Sequence, residues 1–146
     1  MKVVVQRVLN AECVVNKEVV SRIPFGLMLL VSFTHSDNIQ NVELMAKKIA
    51  NLRIFEDENQ KMNLSIQDVK GQILAISQFT LYANTVKGNR PSFVDCMSPA
   101  LANDYYEKFI KIMNNTYNIK TLPGVFGADM KLNIVCDGPV TITLEF

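Results

Sequence analysis

The chain carries one histidine, three cysteines and no tryptophan, which leaves few routes to acid–base or nucleophilic chemistry. His35 sits in the polar stretch Thr34-His35-Ser36-Asp37 leading into a helix start and reads as a surface loop residue. Without it no Ser/His/Asp or Cys/His arrangement can be assembled. Cys13, Cys96 and Cys136 are far apart and form no C-x-x-C, so neither a disulfide framework nor a Cys/His zinc site is expected. They read as small apolar core residues. Gly124-Val125-Phe126-Gly127 lacks the lysine and spacing of a phosphate loop, and Asp57 and Glu58 lie in a charged, solvated turn.

Three places stand out. In Gln72 to Leu81, read as a strand, Leu74 and Ile76 share a face with Gln78 and Thr80, with Phe79 directed oppositely. Either this strand emerges at the edge of the core, or it floors a site that offers hydroxyl, amide and backbone donors. Arg7 shares a face with Val3 and Val5, so its guanidinium needs a partner, either a structural carboxylate or a substrate. Asp137-Gly138-Pro139 separates two strands. It is a plain turn, or a place where glycine admits close approach and the X-Pro bond is free to be cis.

The elements that must position these residues follow from periodicity. Lys2 to Leu9 is a β-branched strand, and Glu12 to Asn16 turns at Lys17-Glu18 into Val19 to Arg22 as a hairpin. Gly26 to Phe33 is continuously apolar, as a central strand is. Asp37 stands three before Gln40 at capping-box spacing, and Ile39, Val42, Met45, Ala46 and Ile49 recur at helical period. Ser98-Pro99 starts a second helix through Ala102, Tyr105, Tyr106, Phe109, Ile112 and Met113. Lys131 to Cys136 and Val140 to Phe146 close the chain as strands, the second alternating with period two. Many strands and two separated helices without βαβ alternation predict an α+β fold on a mostly antiparallel or mixed sheet.

A length of 146 residues fits one domain spanning 1–146, with roughly two-thirds of the unfolded surface buried. Fifteen basic against fourteen acidic residues give a net charge of +1, too little for a protein that wraps nucleic acid; DNA is not an expected partner, and only a small nucleic-acid footprint is. The longest apolar stretch, Ile23 to Phe33, contains Pro24, Gly26 and Ser32 and is too short to cross a membrane. The opening residues do not read as a signal peptide, so the expected location is cytoplasmic.

Taken together, the segments resemble one family, the D-aminoacyl-tRNA deacylases of the bacterial and eukaryotic type. The resemblance runs from Met1-Lys2-Val3-Val4-Val5-Gln6-Arg7-Val8 through Leu52-Arg53-Ile54-Phe55-Glu56-Asp57 and Lys61-Met62-Asn63-Leu64-Ser65. It continues through Ser77-Gln78-Phe79-Thr80-Leu81-Tyr82, Lys87-Gly88-Asn89-Arg90-Pro91-Ser92-Phe93, Phe126-Gly127-Ala128-Asp129-Met130 and Gly138-Pro139-Val140-Thr141. The resemblance implies a barrel-like fold, a homodimer, no metal and no organic cofactor, and hydrolysis of the ester joining a D-amino acid to the terminal ribose of tRNA. It implies that Ser77, Gln78, Phe79 and Thr80 line the catalytic pocket. Gly138 and Pro139, joined by a cis bond, are implied to enter the partner subunit's pocket, and Arg7, Phe126 and Met130 to match further substrate-binding positions. Where the family usually has asparagine two before the glycine, this chain has Cys136, a weaker hydrogen-bonding residue.

The resemblance also accounts for the absent triad. An aminoacyl ester beside an ammonium group is already activated, so positioning and oxyanion donors supply much of the remaining catalysis. Backbone N–H groups near Phe79 and Thr80 are the expected donors, with the terminal 2′-hydroxyl of tRNA assisting; a Thr80 nucleophile ranks second. Lys87 and Arg90 are either phosphate contacts or part of a solvated loop. Glycine mischarged on tRNA is expected to be cleared too. The alternative is an inactive module that binds the 3′ end of tRNA.

Overall fold

In the computed structural model, which describes residues Met1–Phe146, the two strands expected before Asn16 are one strand, β1 (Lys2–Val15). It runs on unbroken while changing partner midway. Val8 to Lys2 pair with β3 (Gly26–Ser32), and Ala11 to Val15 pair with β2 (Glu18–Ile23), both antiparallel. Leu9 and Asn10, exposed at the changeover, belong to neither ladder.

The apolar β3 is buried along nearly its whole length. It is followed by α1 (Ile39–Ala50), the hairpin of β4 (Phe55–Glu56) with β5 (Met62–Leu64), and β6 (Gln72–Ser77). β6 lies parallel to β3, and β7 (Thr121–Pro123) lies parallel to β6 beyond it. The six-stranded sheet is therefore mixed, ordered β2-β1-β3-β6-β7, with β8 (Lys131–Glu145) antiparallel to β1. Ser21 of β2 donates a hydrogen bond to the carbonyl of Pro123 in β7, so the sheet curls into a nearly closed, barrel-like form. This is the α+β architecture that the periodicity predicts.

α1 and α2 (Pro99–Asn115) lay Met45, Ile49, Phe109 and Met113 on Val3, Val5, Leu27 and Leu29 to form the main core. A smaller cluster around Val8, Cys13, Met28, Leu74 and Ile76 fills the opposite face. The cap of α1 differs from expectation. Asn38 accepts from the backbone of Gln40 and Asn41, and Asn41 accepts from Asn38 N–H in return. Asp37 is not free to cap, because it binds the ammonium of Met1 and the backbone N–H of Thr34.

Two departures bear on function. β6 stops at Ser77, where Gln78 N–H donates to Val31 O at 2.7 Å, and Phe79–Tyr82 then form a 3-10 turn. The two closing strands are one, β8, with a bulge. Gln6 faces Thr141 and Val8 faces Cys136, so Arg7 alone stands opposite the four residues Asp137 to Val140. A plain turn would have ended the ladder; this insert pushes a loop outward from a strand that continues on both sides.

Candidate active site

The C-terminal ends of the parallel strands β3 and β6 open into a cavity of about 290 Å³. One wall is Ser77, Gln78 and Phe79, carried off the end of β6. The facing wall is Phe126 to Met130, in the loop between β7 and β8, and Phe33, Met97 and Ala102 close the inner end. That is where a doubly supported parallel pair leaves unpaired backbone, a usual place for a site.

Phe79 is 58% exposed, an unusual state for a large aromatic, and stacks edge-on with Phe93 at 5.0 Å between ring centroids. Thr80 is exposed and does not line the cavity; Gln78 Nε2 donates to its hydroxyl. The N–H groups opening the 3-10 turn have no partner within it, and Gln78 supplies no side-chain cap. Phe126 packs on Tyr106 of α2, at 6.0 Å between centroids.

A second group lies apart. Arg7 is buried; its Nε is 2.8 Å from Asp137 Oδ2, and a terminal nitrogen donates to Ile54 O at 2.8 Å. The partner that a guanidinium on that face requires is thus a carboxylate of this chain. Arg7 ties down the base of the bulge, doing the bracing for which Cys136, exposed here, is poorly equipped. Gly138 (φ +111°) and Pro139 are exposed at the tip, joined by a cis bond. A Cβ on Gly138 would stand 2.9 Å from Val140 Cγ2 and 3.4 Å from an Arg7 nitrogen, so only glycine fits. None of Arg7, Gly138 or Pro139 lines the cavity of its own chain.

The matches to known proteins agree over the full length. The family model described as D-Tyr-tRNA(Tyr) deacylase matches residues 4–145. The chain belongs to that family. Among relatives, the D-aminoacyl-tRNA deacylase of Fusobacterium nucleatum is 51% identical over 99% of this chain and 95% of its own length. That of Bacillus cytotoxicus is 51% identical over 99% of both. A solved structure described as c-Myc DNA Unwinding Element Binding Protein superposes with a TM-score of 0.95 at 41% identity, covering 100% of this chain and 99% of that one. A probable eukaryotic D-amino acid tRNA deacylase superposes with a TM-score of 0.85 at 16% identity, over 98% and 97%, and shares the fold.

In this deacylase-family chain no three His, Cys, Asp or Glu side chains converge as a metal site. His35 lies outside the cavity, with Nδ1 3.3 Å from Asp95 O. Of the cysteines only Cys13 is a core residue; Cys96 is half-buried and Cys136 exposed. Burial pushes the thiols of Cys13 and Cys96 up, away from the thiolate a nucleophile needs. Sequence reasoning missed Asp137 as a partner, although the unpaired Arg7 was a signal for one. It also missed Tyr106, whose helical spacing shows only a core position.

Proposed function

We infer that this chain is a hydrolase of D-aminoacyl-tRNA, cleaving the ester to release the D-amino acid and free tRNA. The observation that carries the reading is the family match over residues 4–145 together with an open cavity lined by Ser77, Gln78 and Phe79 and by no histidine. The ester is activated by its own ammonium group, so held donors and an excluded volume suffice. The N–H groups of Phe79 and Thr80 polarise the carbonyl, water adds to it, and the ribose oxygen leaves with a proton. Gln78 and Ser77 orient the acyl group. Phe126 and Met130 form the opposing wall for the terminal nucleotide. The site works in the cytoplasm, where charged tRNA is used, and needs no metal or organic cofactor. A charge of +1 suits a grip on the single-stranded 3′ end and not the neutralisation of a duplex.

Chirality is assigned to Gly138 and Pro139, delivered by a second copy of the chain. Three observations support a homodimer. The two residues project from an exposed bulge and do not reach the cavity of their own chain. β8 pairs only with β1, leaving its outer edge open beside exposed Leu9 and Val135. The accessible surface of 8294 Å² exceeds by roughly a tenth what a monomer of this mass shows. In the dimer the carbonyls of Gly138 and Pro139 receive the ammonium and fill the space an L side chain needs. Discrimination is then exclusion of the L form, and glycine, which has nothing to exclude, is accepted.

The test is deacylation of D-tyrosyl-, L-tyrosyl- and glycyl-tRNA by the purified protein. Hydrolysis of the first and third with survival of the second is expected. Rejection of glycine would place discrimination elsewhere, and tRNA binding without turnover would establish the inactive-module reading. Sedimentation should give twice the 16.5 kDa chain mass; a monomer active at nanomolar concentration would overturn the shared site.

A further inference from the structure

Tyr106 is a polar residue inside an apolar core, 3% exposed and sharing the buried face of α2 with Phe109 and Met113. Phenylalanine would fill the same space without a hydroxyl to desolvate, so the hydroxyl must be bonded to be tolerated. It is bonded twice: it donates to Ala75 O at 2.7 Å and accepts from Gly124 N–H at 3.1 Å. Burial pushes its ionisation well above the ordinary tyrosine range, so it remains a neutral donor and acceptor together.

The two groups it joins lie just outside the cavity, on the segments that run into its two walls. Ala75 lies two residues before Ser77 on β6, and Gly124 two residues before Phe126. The β6–β7 ladder ends at the pair Ala75 and Pro123. Beyond it, the facing wall is tied to β6 by Gly124 N–H, shared between Ala75 O at 2.9 Å and the tyrosine oxygen. The Ser77–Phe79 wall has an independent anchor in the bond from Gln78 to Val31. The Phe126–Met130 wall has an internal turn bond, Ala128 N–H to Val125 O, which does not fix it to the sheet. Gly124 also brings the walls as close as a residue without a side chain allows. A Cβ there would stand 2.7 Å from Met130 Sδ and 2.9 Å from Ile76 Cδ1, both lining the cavity.

We propose that Tyr106 is a positioning residue, its hydroxyl setting the separation of the two walls between which the aminoacylated 3′ end of tRNA is held. The proposal rests on the deacylase reading above. Tyr106→Phe leaves the wall that carries the reacting N–H groups in place and loosens the one facing it. KM for D-aminoacyl-tRNA therefore rises about tenfold, the worth of the buried hydrogen bond lost at Gly124 N–H, while kcat stays within about twofold.

Phe109→Leu is the control. It sits one turn further along the same buried face of α2, lowers Tm by loosening the same core, and leaves KM unchanged. Gly124→Ala, which keeps the hydroxyl but crowds Met130 and Ile76 into the cavity, also raises KM. A second readout needs no turnover: the methyl resonance of Met130 in ¹³C-methyl-methionine spectra moves in Tyr106→Phe and not in Phe109→Leu. An unmoved KM and Met130 resonance in Tyr106→Phe would overturn the proposal, as would an equal rise in KM with Phe109→Leu. Failure of the wild type to hydrolyse D-aminoacyl-tRNA refutes the functional reading instead, and the Met130 resonance still decides the role of Tyr106.

Discussion

Replacing Arg7 with methionine keeps most of the buried stem's volume and removes the guanidinium, a clean way to ask what holds the bulge on β8. The Arg7 side chain is 6% exposed and that of Asp137 is 35%, at 2.8 Å. At an effective dielectric of about 20 the gross attraction is about 6 kcal/mol, most of it offset by the cost of burying the cation. Two penalties remain in the variant. Ile54 O loses its donor, costing about 1–2 kcal/mol. Asp137 loses its counter-charge, although its partial exposure lets water replace part of it. The expected destabilisation is about 3 kcal/mol, at the low end for a broken buried pair. For a chain of this length that is a fall in Tm of roughly 6–12 °C.

Asp137→Asn removes the charge facing Arg7 but leaves the guanidinium's bond to Ile54 O, and should cost about half as much. Thermal unfolding followed by circular dichroism reads both variants, and a double-mutant cycle isolates the pair. Deacylation is measured at 25 °C, where both remain folded. It should fall more than tenfold in Arg7→Met, because the loop bearing Gly138 and Pro139 loses its base. A Tm within a degree of wild type, or a rate that falls only in step with the folded fraction, would refute the bracing role.

Thr80→Ala should retain deacylation to within about tenfold, because the threonine hydroxyl is paired with Gln78 Nε2, an amide donor that cannot take its proton. A loss beyond a thousandfold, with an acyl-enzyme trapped on the wild type, would make Thr80 the nucleophile. Protein stripped with EDTA should turn over D-aminoacyl-tRNA at the untreated rate, since no cluster of ligating side chains exists to hold a catalytic metal; inhibition reversed by added zinc would sink that claim.

Elements with strong local signals were legible in the residues. α2 follows from Pro99 at its first position and the spacing of Tyr106, Phe109 and Met113. β3 follows from an apolar run too short for a helix, and the strand beyond the bulge from alternation of Val140, Ile142 and Leu144. What failed was continuity and boundary. Whether Leu9 and Asn10 break a strand or pass through it depends on β8 pairing across them, which no local pattern carries. Asp37 and Asn38 are equally good caps by type; the ammonium of Met1, far away in sequence, took the aspartate. The local pattern carries the strand to Leu81, four residues past the end of β6, because Phe79 and Thr80 have strand propensity, whereas the turn there answers to Val31 on the neighbouring strand.

The sequence alone determined the fold class, the absence of any histidine-based triad, and the short segments Ser77 to Thr80, Phe126 to Met130 and Gly138-Pro139 by which the family is recognised. These are properties of residue type and spacing along one dimension. Only the tertiary structure decided that the first two segments face each other across one cavity. It alone showed that Arg7 meets Asp137, that Tyr106 bonds both Ala75 and Gly124, and that Gly138-Pro139 does not line the cavity of its own chain. Each of these depends on groups distant in sequence that sheet order and register bring together or keep apart. A one-residue change of register would turn any of them to the opposite face without altering a single local signal.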